Sequence, residues 1–132
     1  MVLEAIKGTD LDLYVSTFYQ EGGSPEFDAG IKEYISNNSE ALAANGGNDT
    51  ISAVTAMGYD AYYVVLEAIK MANSGDKSDL MKILPSVTYE GVSGAIAFDE
   101  IGDAVRDTAF IKTADTENGV WALETVQTGS AG

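Results

Sequence analysis

The chain contains no cysteine and no histidine. The first absence excludes disulfides, thiolate nucleophiles and thiolate zinc sites. The second removes every mechanism that relies on His as base or metal ligand. Cations are scarce: 7 Lys and Arg stand against 21 Asp and Glu, for a net charge of -14. Nucleic acid is therefore excluded as a partner, because phosphate binding needs clustered Lys and Arg that release counterions. An anionic membrane surface is disfavoured by the same charge. No apolar run approaches the ~18 residues that span a bilayer. The opening residues 1–7 do not read as a signal peptide, since their charge order is wrong and their apolar run too short.

What is present suits one ordinary domain. With 132 residues, 45% of them hydrophobic, the chain can bury a real core and is not globally disordered. The negative charge reads as solubility and colloidal repulsion, with adaptation to high salt as an alternative. Residues 1–128 are expected to form the structured segment. Residues 129–132, Gly-Ser-Ala-Gly, read as a flexible tail or an engineered scar.

Patterning sets the order of elements. Val2–Lys7 fits a short helix stopped at Gly8, and the same hexapeptide recurs at Val65–Lys70. That recurrence reflects either chance among good helix formers or an engineered or truncated junction. Leu11–Phe18 alternates and is rich in Val, Tyr and Thr, which predicts a strand. Ser24-Pro25 is the pattern of an N-cap with proline at the first helical position. Phe27, Ile31, Tyr34 and Ile35 then share one face of a helix over 25–37.

A longer helix is expected over 50–73, capped by Asp49 or Thr50. Its stripe is Ile51, Val54, Gly58, Ala61, Val65, Ala68, Ile69 and Ala72. Met57, Tyr62, Tyr63, Val64 and Leu66 make the other face apolar too, which predicts burial on two sides. A short helix over 77–84 is closed by Pro85. Short extended runs follow at 87–90, 94–98, 108–113 and 120–126. Asn118-Gly119 marks a hairpin turn, and Trp121, Leu123 and Thr125 are expected on one side of the last strand. The fold class is α/β: one strand, three helices, then a β-meander.

Candidate chemistry is thin. Asp99, Glu100, Asp103 and Asp107 form the densest carboxylate cluster, but an EF-hand loop needs other residues where Ile101, Ala104 and Phe110 stand. A solvated turn is the better reading, and no cofactor is expected. Gly91-Val92-Ser93-Gly94 lacks the lysine of a phosphate loop, so its glycines serve tight turns or close backbone approach. Tyr59, Tyr62 and Tyr63 are expected to pack against the core with their hydroxyls at the surface. An acidic hydrolase using paired carboxylates ranks last among functions, because His and Cys are both absent, and no aromatic sugar platform is recognisable beside any pair. The chain is read as not an enzyme.

Three separated segments carry a resemblance. Leu13–Tyr19 resembles the crossing strand of the leucine/isoleucine/valine-binding family of periplasmic proteins. Ala56-Met57-Gly58-Tyr59-Asp60-Ala61-Tyr62 resembles that family's Gly-Tyr-Asp-Ala helix. Tyr89–Asp103 is similar to its Gly-Val-x-Gly-x-Ile-x-Phe-Asp-x-x-Gly-Asp signature. Together they cover residues 11–127 in the family's order.

The resemblance implies a C-terminal segment of a type I periplasmic solute-binding protein, with parts of two α/β lobes. It implies an extracytoplasmic parent, periplasmic or cell-surface, that feeds branched-chain amino acids or similar molecules to an ABC permease. It also places Tyr19, Val54 and Thr55 near the ligand, while the main ligand-gripping residues of the family lie in earlier chain. Val54 departs from the aromatic residue many relatives use. A different expectation follows from truncation: apolar faces left without partners drive association, giving a homodimer of the ordinary or domain-swapped kind.

Overall fold

The computed structural model describes residues 2–129. Residues 130–132 of the expected tail lie outside the described residues. Within them the chain forms two compact units, one from residues 2–20 with 107–129 and one from residues 21–106.

The first unit holds α1 (Val2–Ile6), β1 (Tyr14–Thr17), β5 (Thr108–Asp115) and β6 (Val120–Thr128). The strands form an antiparallel sheet in the order β1-β5-β6, with Tyr14 opposite Thr113 and Thr108 opposite Thr128. The Asn-Gly hairpin is present between β5 and β6. Asp115 closes it by accepting the N–H groups of Glu117 at 3.1 Å and Asn118 at 2.9 Å. Gly119 follows at φ 71°, a conformation that costs a side-chain-bearing residue more.

The last strand departs from expectation in one respect. Lys112 pairs with Leu123 and Ile111 with Thr125, so Glu124 is an extra residue in a bulge. Neighbouring residues on β5 point to opposite faces. Trp121 and Leu123, opposite Ala114 and Lys112, therefore share a face that Thr125 does not.

The second unit holds α2 (Pro25–Asn37), α3 (Ser39–Ala44), α4 (Ala53–Ala72), α5 (Lys77–Ile83) and a 3-10 turn at Leu84–Ser86. A second antiparallel sheet follows, of β2 (Tyr89–Gly91), β3 (Gly94–Phe98) and β4 (Ala104–Val105). The strands after α5 are thus divided between two sheets. Pairing between distant segments decides that division, and local patterning carries no record of it.

The limits of α2 are those the sequence predicts, and α2 buries Phe27, Asp28 and Ile35. Its N-cap Ser24 makes no side-chain capping bond; proline at the first position sets the start. The helix α3 was not expected. Asn38 creates it by accepting the N–H groups of Glu40 at 3.1 Å and Ala41 at 3.0 Å.

The long helix starts later than predicted. Asn48 and Asn45 tie up the loop, with Thr50 N–H donating to Asn48 Oδ1 at 3.0 Å. Ser52, rather than Asp49 or Thr50, is the cap, and its Oγ accepts Thr55 N–H at 3.2 Å. Asn73 in the left-handed conformation, φ 48°, ends it.

The buried face of α4 is Ala56, Asp60, Val64 and Ala68. Val64 and Ala68 join Val87 and Ile96 in a core that Leu80, Ile83, Leu84, Tyr89 and Phe98 complete. Of the expected stripe, Val54, Gly58, Ala61, Val65 and Ile69 stay exposed. Burial on two sides is therefore corrected to burial on one. A helix apolar nearly all round offers its neighbours several faces, and the partner of Asp60 selects this one.

Candidate functional site

The only fully hidden ionisable side chain among the described residues of the core is Asp60, at 0% exposure in the middle of α4. A buried carboxylate is costly unless its oxygens are satisfied. Three donors meet it from the β2–β3 turn. Val92 N–H donates to Oδ1 at 2.8 Å and Ser93 N–H to Oδ2 at 2.8 Å. The Ser93 hydroxyl also donates to Oδ2.

Arg106 completes the arrangement beyond β4. Its Nη1 donates to the Ser93 carbonyl and its Nη2 to Ser93 Oγ, both at 2.9 Å. Helix, turn and the end of the second sheet are thus fastened at one point. Gly91 explains why the turn comes so close: a methyl group there would overlap the Asp60 carboxyl group. The expectation that these glycines allow close backbone approach holds at this position.

The two quoted motifs therefore meet in space. Asp60 of Gly58-Tyr59-Asp60-Ala61 grips Val92 and Ser93 of Gly91-Val92-Ser93-Gly94. Sequence reading singled out both segments without linking them, and passed over Arg106. The available signal was a lone carboxylate midway along an otherwise apolar helix. Chemically, the Ser93 hydroxyl is held by an acceptor on one side and a donor on the other. The group is a structural clasp, with its hydrogen bonds spent inside the protein.

A line of aromatic rings runs beside the clasp. Phe27 meets Tyr59 at 4.9 Å between centroids, and Tyr59 meets Tyr63 at 4.9 Å. Tyr63 stacks on Tyr89 at 6.1 Å with the planes 3° apart. The Tyr59 hydroxyl donates to that of Tyr63 at 3.4 Å. This bond, reinforced by burial and nearby negative charge, pushes the Tyr59 phenol up to about 12. Burial, then the charge of Asp60, raises that of Tyr89. Core packing was expected for Tyr59, Tyr62 and Tyr63; instead Tyr59 and half-buried Tyr63 pack in the aromatic line, and Tyr62 stays 62% exposed, meeting Tyr63 edge-on at 5.3 Å.

Of the residues proposed for ligand contact, Val54 and Thr55 are neighbours on the first turn of α4. Val54 is 77% exposed. Thr55 is half-buried, and its hydroxyl lies 3.0 Å from that of Ser52 within the cap. Tyr19 belongs to the first unit and is buried. Asp99 folds back on its own turn, accepting the N–H groups of Ile101 at 3.0 Å and Asp103 at 2.9 Å. No cluster of three or more metal-ligating side chains occurs among the described residues.

No protein-family model matches the chain, and no curated protein sequence matches it. Among solved structures it is similar to the leucine binding protein LivK from Thermotoga maritima. The two are 29% identical with a TM-score of 0.63, over 95% of this chain and 32% of that one. The chain thus spans about a third of this relative's length. Its mixed helices and small antiparallel sheets suit part of an α/β lobe. With its motifs in the order the resemblance requires, the chain is built like a segment of a type I periplasmic binding protein.

Proposed function

We propose that this chain is a non-catalytic segment of a solute-binding protein, the substrate-binding component of an ABC transporter. The ligand class is branched-chain amino acids or similar small molecules. The parent works outside the cytoplasm, in the periplasm or at the cell surface, and hands its ligand to a membrane permease. The observation that carries this reading is the likeness to a leucine binding protein along 95% of the chain. The clasp supports it too, because the motif residues Asp60 and Ser93 spend their bonds on architecture.

In such proteins a ligand bridging two lobes biases an open–closed equilibrium. Val54 and Thr55 on the first turn of α4, and Tyr19, are the residues of this chain proposed to contribute. The groups that grip the ligand's carboxylate and amine lie elsewhere in the parent. The chain alone is therefore expected to bind leucine very weakly.

A segment exchange tests the proposal. The corresponding third of the Thermotoga protein is replaced by this chain, and leucine, isoleucine and valine are titrated calorimetrically. A folded chimera that binds one of them supports the assignment. A folded chimera that binds none of them, nor any related small amino acid, overturns it.

A further inference from the structure

Asparagine followed by glycine is the pair most open to spontaneous deamidation, because glycine has no Cβ to keep its nitrogen from the side-chain amide. The chain holds two such pairs, Asn45-Gly46 and Asn118-Gly119. Asn118 stands exposed in the β5–β6 turn, where water and hydroxide reach it. The reaction needs only those two. Hydroxide takes the Gly119 N–H proton, the nitrogen bonds to Asn118 Cγ, and the Cγ–Nδ2 bond breaks as ammonia leaves. Water then opens the cyclic imide at either carbonyl, giving aspartate or isoaspartate. The net change replaces NH by O, with nothing oxidised or reduced.

Asp115 holds both reacting groups. Its carbonyl accepts Gly119 N–H at 2.8 Å, which occupies the nucleophile. Its Oδ2 accepts Asn118 Nδ2 at 2.7 Å, which fixes the amide, and its Oδ1 accepts Asn118 N–H at 2.9 Å. Asn45 is held differently. It is half-buried, and its Nδ2 donates to two main-chain carbonyls, those of Asn48 at 2.8 Å and Thr50 at 2.9 Å. The Gly46 N–H is held more loosely than that of Gly119, at 3.2 Å to the Ala43 carbonyl. The side chain decides between the pairs. Asn45 must leave two main-chain carbonyls to meet its neighbour's nitrogen, whereas Asn118 must leave one carboxylate oxygen.

We propose that Asn118 is a site of spontaneous deamidation restrained by Asp115, and that its conversion unfastens the β5–β6 turn. The products account for the second part. Aspartate at 118 sets a carboxylate where an amide donated to Asp115, so a hydrogen bond becomes a like-charge repulsion. Isoaspartate adds a methylene to the main chain inside a turn that the Gly119 N–H closes. Lys7 lies over Gly119, with its Nζ 3.8 Å from where a Cβ would stand. It supplies one positive charge against the carboxylates of positions 115, 117 and 118.

Mass spectrometry of the full chain, incubated folded at mildly alkaline pH, tests this. Trypsin releases residues 113–132 as one peptide in which Asn118 is the only asparagine. That peptide is expected to show the imide, then aspartate and isoaspartate, before any product appears at Asn45. Unfolding in guanidinium is expected to speed conversion at 118 at least ~10-fold, since every restraining bond is lost. Asp115→Ala is expected to speed it about 5-fold in the folded chain, the factor for one lost hydrogen bond, and to leave position 45 unchanged. Asp115→Asn, which keeps one acceptor oxygen, should fall between that variant and the parent. Asn118→Asp mimics a product, and its Gly119 amide should exchange with solvent at least ~10-fold faster than in the parent. Earlier conversion at Asn45, or equal rates at 118 in folded and unfolded chain, overturns the proposal. The second comparison needs no variant, so it decides the restraint even if Asp115→Ala does not fold. Indifference to both Asp115 substitutions removes Asp115 as the restraint, and unchanged Gly119 exchange in Asn118→Asp overturns the opening of the turn.

Discussion

Asp60 on α4 holds Ser93 at the β2–β3 turn through two hydrogen bonds, from the main-chain N–H at 2.8 Å and from the hydroxyl. With Val92 N–H at 2.8 Å, three donors depend on one hidden carboxylate. Asn at position 60 keeps a single acceptor oxygen and turns an amide NH2 toward N–H groups. Asp60→Asn is therefore expected to destabilise the protein by about 3 kcal/mol, the cost of stranding buried donors. Ser93→Ala removes a hydroxyl that links Asp60 to Arg106 and should cost about 1–2 kcal/mol. Urea unfolding followed by circular dichroism measures both. An Asp60→Asn protein within about 0.5 kcal/mol of the parent would show that the clasp does not hold the turn.

Gly91 owes its identity to the same carboxylate. Its φ lies outside the left-handed range, so backbone conformation does not require glycine. Only the overlap with Asp60 does. Gly91→Ala should then destabilise by about 1–3 kcal/mol, as overpacking does. The penalty should shrink when position 60 is alanine. A double-mutant cycle at the two positions measures that coupling. Equal penalties in both backgrounds would remove the overlap as the cause.

Glu21 fastens the entrance to α4 in a similar but more exposed way. Its Oε1 accepts Ile51 N–H at 2.6 Å, and its Oε2 lies 3.0 Å from Lys32 Nζ on α2. The ion pair is partly solvated and contributes little. The hydrogen bond to the chain beside buried Ile51 contributes more. Glu21→Gln should consequently leave stability nearly unchanged, while Glu21→Ala should cost about 1 kcal/mol. The two variants' urea midpoints check this, and equal losses would assign the effect to the charge instead.

Local signals were legible where physics is local. Ser24-Pro25 and the spacing of Phe27, Ile31 and Ile35 suffice to place α2. The Asn118-Gly119 pair suffices to place the β5–β6 turn. By contrast, α3 has six residues and no apolar period, and exists because the Asn38 side chain caps it. On α4 an amphipathic reading sends Asp60 to solvent, since a carboxylate ordinarily belongs there. The structure buries it because partners 32 and 33 residues away supply the donors. That single reversal turned the expected stripe outward. It also hid the clasp, whose members lie on three separate segments. The residues proposed for ligand contact came from resemblance, and nothing in composition or spacing marks Tyr19, Val54 or Thr55.

The tyrosine line provides a readout of the packing beside the clasp. The hydrogen bond that Tyr59 donates to Tyr63 is the leading cause of its raised pKa of about 12, against 10.0 for an ordinary tyrosine. A phenol whose folded value is raised keeps its proton while the unfolded chain has already lost it. Its stabilising contribution is therefore complete below pH ~10 and is lost as pH climbs from there through about 12. Absorbance near 295 nm, a standard phenolate signal, should show a late-titrating tyrosine among the seven in the chain. Tyr63→Phe deletes the acceptor hydroxyl while keeping the ring that stacks on Tyr89. In that variant the late step should move down toward ordinary tyrosine values and the stability loss should begin at lower pH. If the late step survives Tyr63→Phe unchanged, burial rather than the hydroxyl pair sets it.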